Sequence, residues 1–189
     1  MKKIYLFILT TFLLLSFTGC GTTKSRSSEK YLNSWTMIDT PAKKFMPDLD
    51  MLPIDYGISY NYNHIYRGLF ETDTLTLVVN YSEEIYKKEK ERLLKEYKYL
   101  DHKVISNSDS EKYYIPEYEF EVNTYNFKVV DEYETYKAQY PNSFGIIGFS
   151  DENKNIAYLY FYDTDLDYIS SDNENPMSDL VKKYFKYDF

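Results

Sequence analysis

The chain has 189 residues, 43% hydrophobic and 28% charged, a balance that supports a folded core and excludes wholesale disorder. Its formal net charge is −8, so it lacks the basic footprint that nucleic-acid binding requires, and an anionic lipid surface repels it. One cysteine, two histidines and six glycines leave no intrachain disulfide, no zinc site of the Cys₄ or Cys₂His₂ type and no glycine-rich phosphate loop.

Residues 1–19 read as an export leader. Lys2 and Lys3 form a positive head. The apolar run Ile4 to Phe17 that follows is shorter than the ~20 residues a bilayer-spanning helix needs. The next residues, Phe17-Thr18-Gly19-Cys20, resemble the lipobox of bacterial lipoproteins. In that family the cysteine thiol receives a diacylglyceryl group, the leader is cut before it, and the cysteine becomes the lipidated first residue. The resemblance implies lipid attachment at Cys20, labelling by palmitate, and a place on the extracytoplasmic face of the cell membrane. Phe17 stands where the family usually has Leu and fills the same apolar role. Gly21, in place of an Asp, resembles the outer-membrane sorting pattern for hosts that have such a membrane.

Residues 20–40 form the lipidated N-terminus and a tether, because GTTKSRSSEK is Gly, Thr, Ser and charge. An S-x-x-K match, Ser27 to Lys30, falls inside it, and Trp35 stands alone near its end. No repeat or second linker follows, so 41–189 is expected to be a single domain. Pro41, Pro47 and Pro53 predict an irregular or extended entry. Ile58, Tyr60 and Tyr62 alternate with Ser59 and Asn61, which predicts a strand. Arg67-Gly68 turns the chain. Leu75, Leu77, Val79 and Tyr81 make a second strand.

At Ser82 the period changes. Asn80 or Ser82 caps a helix with Glu83 and Glu84 in its first turn, where the dipole favours acids. Ile85, Tyr86, Leu93, Leu94, Tyr97 and Leu100 share its apolar side. Glu83–Lys87, Glu84–Lys88 and Glu91–Lys95 decorate the outside. A polar loop covers 101–112. Tyr118, Phe120 and Val122 alternate, then slip to Tyr125, Phe127 and Val129, which predicts a bulge or tight turn at Asn123-Thr124. Phe144–Phe149 and Ile156–Tyr162 flank a polar turn, and the second arm, apolar throughout, is expected at the centre of the sheet. Residues 176–187 predict a closing helix with Leu180, Val181, Tyr184 and Phe185 inward. The expected fold class is α+β: a mostly antiparallel sheet of about five strands packed with one long amphipathic helix and a short C-terminal helix.

Asp163, Asp165, Asp167 and Glu174, with Ser171, stand at the ligand spacing of an EF-hand calcium loop. Tyr168 occupies the position that wants glycine, and a strand precedes the loop, so a solvated acidic loop is the plainer expectation. Of 23 tyrosines, Tyr56, Tyr60, Tyr62 and Tyr66 cluster with Asn61, Asn63, His64 and Arg67. Such a patch can stack on sugars or meet a protein partner. The abundance of Tyr, Asn, Lys and Ile also reflects a low-GC genome, which dilutes that signal. His64 has no recognisable partner in sequence, and His102 follows the long helix, where its C-terminal carbonyls lie.

With no nucleophile motif and no distinguishable carboxylate pair, the expectation is a non-enzymatic binding or interaction domain. It would need no cofactor or metal, would be held to the membrane by its N-terminal lipid, and would meet an extracellular protein or glycan. A sugar- or calcium-binding module is the first alternative, and a carboxylate-dependent glycan hydrolase the second.

Overall fold

The computed structural model of the chain describes residues 22–25, 40–53, 57–67, 69–105, 113–131, 143–164 and 173–189. Its strands are β1 (Thr22–Ser25), β2 (Gly57–Arg67), β3 (Phe70–Asn80), β4 (Val104–Ile105), β5 (Tyr113–Ile115), β6 (Glu119–Val122), β7 (Tyr125–Val129), β8 (Ser143–Ser150) and β9 (Asn155–Asp163). The helices are α1 (Thr40–Phe45), α2 (Glu83–Glu96) and α3 (Pro176–Leu180), the last continued by a wider turn at Val181–Phe185. Seven strands form one sheet in the order β1-β2-β3-β9-β8-β7-β6, every pair antiparallel, and β4 with β5 forms a separate pair.

This corrects the α+β expectation of a five-strand sheet packed with a long helix. Among the described residues strand predominates over helix, and α2 has 14 residues. The apolar spacing at Tyr97 and Leu100 suggested more helix than there is. The backbone at Tyr97 is already extended (φ −91°, ψ 140°). Beyond it Leu100 N–H donates to the Val129 carbonyl (2.9 Å), and Tyr99 bridges Val130. Those residues are apolar because they join the sheet, not because they extend the helix. Pro41 misled in the opposite sense. It sits in the first turn of α1, where its missing N–H costs nothing.

Register assigns the faces, since partners in an antiparallel ladder point the same way. Tyr60, Tyr62, His64 and Tyr66 share one face with Leu75, Leu77, Tyr158, Tyr160 and Gly145. On that face the Phe45 ring of α1 meets Tyr160, and Lys90 of α2 lies over Phe149. The opposite face carries Ser59, Asn61, Asn63, Thr74, Phe161, Phe144 and Phe127. There Tyr184 and Phe185 cover Phe161. Helical segments therefore cover both faces at the centre, and Ile156–Phe161 of β9 are buried without a break. This explains why that arm lacks polar alternation.

Tight turns join the strand pairs. Asn123 (φ 52°) turns β6 into β7, and Lys154 (φ 54°) ends the turn from β8 to β9. Asn is among the few side chains that enter the left-handed region readily. The β8–β9 turn is tied to α2 through Asp151. It accepts from Lys90 Nζ on both oxygens (2.7 and 2.8 Å) and from the Tyr86 hydroxyl (2.7 Å). The Lys90 bond, then the Tyr86 bond, hold the Asp151 carboxyl below its usual range. A carboxyl with a lowered folded pKa stabilises above its unfolded pKa, and that stabilisation disappears as pH falls through the folded value. Asp151→Asn should therefore lose up to about 1 kcal/mol at pH 7, the scale of an exposed pair. The difference should close as pH drops below about 4. Urea titrations of both proteins across that range measure it.

Candidate functional site

The long hairpin β2–β3 builds the chemically richest cluster among the described residues. Its register pairs His64 with Asp73, Tyr62 with Leu75 and Tyr66 with Glu71. Side chains two apart on β2 fall on the same face, so Tyr62, His64 and Tyr66 form a ladder of parallel rings. The Tyr62 and His64 centroids are 6.4 Å apart, and those of His64 and Tyr66 6.5 Å, with interplanar angles of 23° and 16°.

Asp73 organises this ladder. Only 5% of its surface is exposed, and its Oδ1 accepts from the Tyr62 hydroxyl (2.8 Å) and meets His64 Nδ1 (2.7 Å). A buried carboxylate needs such donors to offset its lost hydration. In return it holds the His64 ring with Nδ1 facing the carboxylate, which favours a proton on that nitrogen. Burial first, and the adjacent Asp73 charge second, push the Tyr62 phenol well above its ordinary value. Tyr62 is therefore a donor throughout the physiological range. The chemistry on offer is an oriented imidazole between a buried phenol and an exposed one. Among the described side chains no hydroxyl nucleophile is hydrogen-bonded to His64.

The tyrosine-and-amide patch expected over Tyr56–Arg67 is divided by the sheet. Tyr60 and Tyr62 are buried, and Tyr66 is exposed. Asn61 and Asn63 lie on the other face, where their amides donate to the carbonyls of Phe185 and Tyr184. Thr74 Oγ1 also donates to the Tyr184 carbonyl (3.2 Å). These amides occupy the carbonyls that a helix end leaves without partners, so their role is structural. Tyr56 lies outside the described residues, as does the Arg67 side chain.

Of the acidic loop, Asp163 and Glu174 are described, whereas Asp165, Asp167 and Ser171 are outside the described residues. Asp163 is buried at the end of β9 and accepts from Thr72 Oγ1 (2.5 Å), while Glu174 is exposed. Among the described residues no three metal-ligating side chains cluster. His102 is exposed and meets Asp101 (2.7 Å), not the carbonyls ending α2. Cys20, the expected lipid attachment point, Ser27 and Trp35 lie outside the described residues.

Asp73 is the member of the cluster that sequence reading missed. Its signal is the lone acid among the threonines of Thr72–Thr76, at the hairpin position opposite His64. No protein-family model, curated protein or solved structure matches this chain.

Proposed function

We propose that this chain is a lipid-anchored extracytoplasmic protein whose sheet domain is a non-enzymatic binding or interaction module. One observation carries the anchoring: the chain's single cysteine, Cys20, closes a leader that runs from Lys2-Lys3 through an apolar segment to Thr18-Gly19. Two or three acyl chains, at about 0.8 kcal/mol per buried CH₂, hold such a protein to the bilayer without help from charge. The acidic body needs that help replaced, since its own charge works against an anionic surface.

The commitments of the buried carboxylates among the described residues support a binding role over hydrolysis. Asp73 is shared by Tyr62 and His64, Asp163 accepts from Thr72, and buried Glu89 is paired with Arg92 of its own helix. Asp73 and Asp163 also point to opposite faces of the sheet, since their ladder positions differ in parity. A glycosidase needs two carboxyls converging on one bond.

Metabolic labelling with palmitate tests the anchor. The native chain should incorporate label and sediment with membranes, and Cys20→Ala should lose the label. Normal labelling of Cys20→Ala overturns the proposal.

A further inference from the structure

Among the described residues, the end of the β2–β3 hairpin concentrates exposed apolar side chains. Of seven large hydrophobic side chains exposed among the described residues, three fall within five consecutive positions: Tyr66 (43% exposed), Leu69 (88%) and Phe70 (50%). Among the described residues the last pair toward β1 is Thr22↔Ile65, and toward β9 the bonding runs to Thr164, which meets Glu71 next to Phe70. Register puts Tyr66 and Phe70 on opposite faces of the hairpin with Leu69 at its end, so together they make the end apolar on both sides, a feature that marks a contact site.

Where the chain begins its fold says what the tip meets. β1 runs antiparallel to β2, with Thr22 opposite Ile65 and Ser25 opposite Tyr62. The N-terminal end of β1 is thus the end nearest the tip. Cys20 precedes Thr22 by two residues, and two residues span at most ~7 Å. Ile65 is itself two residues from the hairpin end at Arg67, another ~7 Å along the strand. β1 and β3 flank β2 at ~4.8 Å each, so Thr22 lies ~12 Å from Phe70, and acyl chains on Cys20 would enter the bilayer within ~20 Å of Leu69 and Phe70.

We infer that the Tyr66–Leu69–Phe70 tip is a second membrane contact, inserting its side chains at the interface beside the acyl chains and so fixing the domain's orientation. This rests on the proposed lipidation of Cys20. Leu and Phe favour the acyl boundary and Tyr the headgroup level. Arg67 and Glu71 at this end cancel in formal charge, so the contact is apolar, not electrostatic, and does not require anionic lipid. The 11 residues of β2, at ~3.3 Å each, then set the Asp151–Lys154 turn at the opposite end of the sheet, far from the bilayer.

The test uses the full exported chain with Leu69→Cys, labelled with a polarity-sensitive fluorophore and reconstituted into phosphatidylcholine vesicles. Glu152→Cys, in the distal turn, is the reference. Leu69 is the most exposed of these side chains, so its replacement leaves the core intact, and acylation of Cys20 leaves the introduced thiol as the one that reacts. The residue 69 probe should shift to the blue, resist aqueous iodide and be quenched by lipids carrying a nitroxide on the acyl chain. The residue 152 probe should do none of these, and added phosphatidylglycerol should not strengthen the effect. Vesicles that float with one reactive thiol per chain, but with both probes equally open to iodide, overturn the tip contact while the anchor stands. Protection at residue 69 that grows with the protein-to-lipid ratio assigns the tip to a second copy of the chain and also overturns it. Two reactive thiols and no flotation overturn the anchor, and the tip contact with it.

Discussion

Gly148→Ala is expected to lower the stability of the domain by about 3 kcal/mol, the upper part of the range for overpacking a core, although it adds one methyl group. The backbone at Gly148 is ordinary, so the cost is steric. A Cβ there would lie 2.3 Å from Cε1 and 2.5 Å from Cδ1 of the Phe127 ring. Phe127 is the cross-strand partner of Gly148 and is fully buried. Its ring cannot swing aside, because Phe120 and Tyr125 stack near it at centroid distances of 5.4 and 5.6 Å, and Phe189 meets it edge-on at 5.3 Å. Either β7 and β8 separate or four aromatic rings repack. For a chain of this length the loss corresponds to a fall in Tm of roughly 6–12 °C.

Trimming the ring separates this explanation from a general intolerance of change. Phe127→Leu alone should destabilise by leaving a gap. Combined with Gly148→Ala it should cost less than the two single losses added together, because the smaller side chain makes room for the methyl. Thermal unfolding of the four proteins measures that coupling. Strict additivity would show that the ring is not what excludes a side chain at residue 148.

Local patterning made several strands readable. The alternation in Ile58–Tyr62 and Leu75–Val79, the slip at Asn123-Thr124 and the polar turn between two apolar arms are all period-2 signals, and each marks a ladder. What stayed hidden depends on contacts distant in sequence. Tyr97 and Leu100 keep helical spacing by coincidence, and only the bonds to Val129 and Val130 show that the chain has left the helix. Thr22–Ser25 has the composition of a tether and becomes a strand because β2 offers it an open edge. Asn61 and Asn63 resembled ligand-binding amides, yet their acceptors are carbonyls more than a hundred residues away.

Half of the His64–Asp73 cluster was within reach of sequence. A turn at Arg67-Gly68 was evident, but the register that sets Arg67 opposite Phe70 is what pairs His64 with Asp73. A shift of one residue sends the acid to the opposite face. Tyr62 then completes the set through its own cross-strand reach. Propensity cannot supply this, because a buried carboxylate among threonines reads as a polar strand edge until its donors are known.

Asp73→Ala should therefore cost about 1–3 kcal/mol, the penalty for leaving a buried donor without its acceptor. The Tyr62 hydroxyl is the group stranded, since Tyr62 is buried and Asp73 Oδ1 is the acceptor it meets. Asp73→Asn, whose carbonyl oxygen still accepts, should cost less. Tyr62→Phe combined with Asp73→Ala should recover much of the loss, because removing both partners leaves nothing stranded. Urea unfolding of the series measures these differences. The imidazole offers an independent reading. With only two histidines in the chain, the nitrogen resonances of His64 can be assigned by difference against His64→Gln. They should report the Nδ1–H tautomer in the native chain and lose that preference in Asp73→Ala. A series in which stability falls but the tautomer does not change would mean that Asp73 props the hairpin without orienting His64.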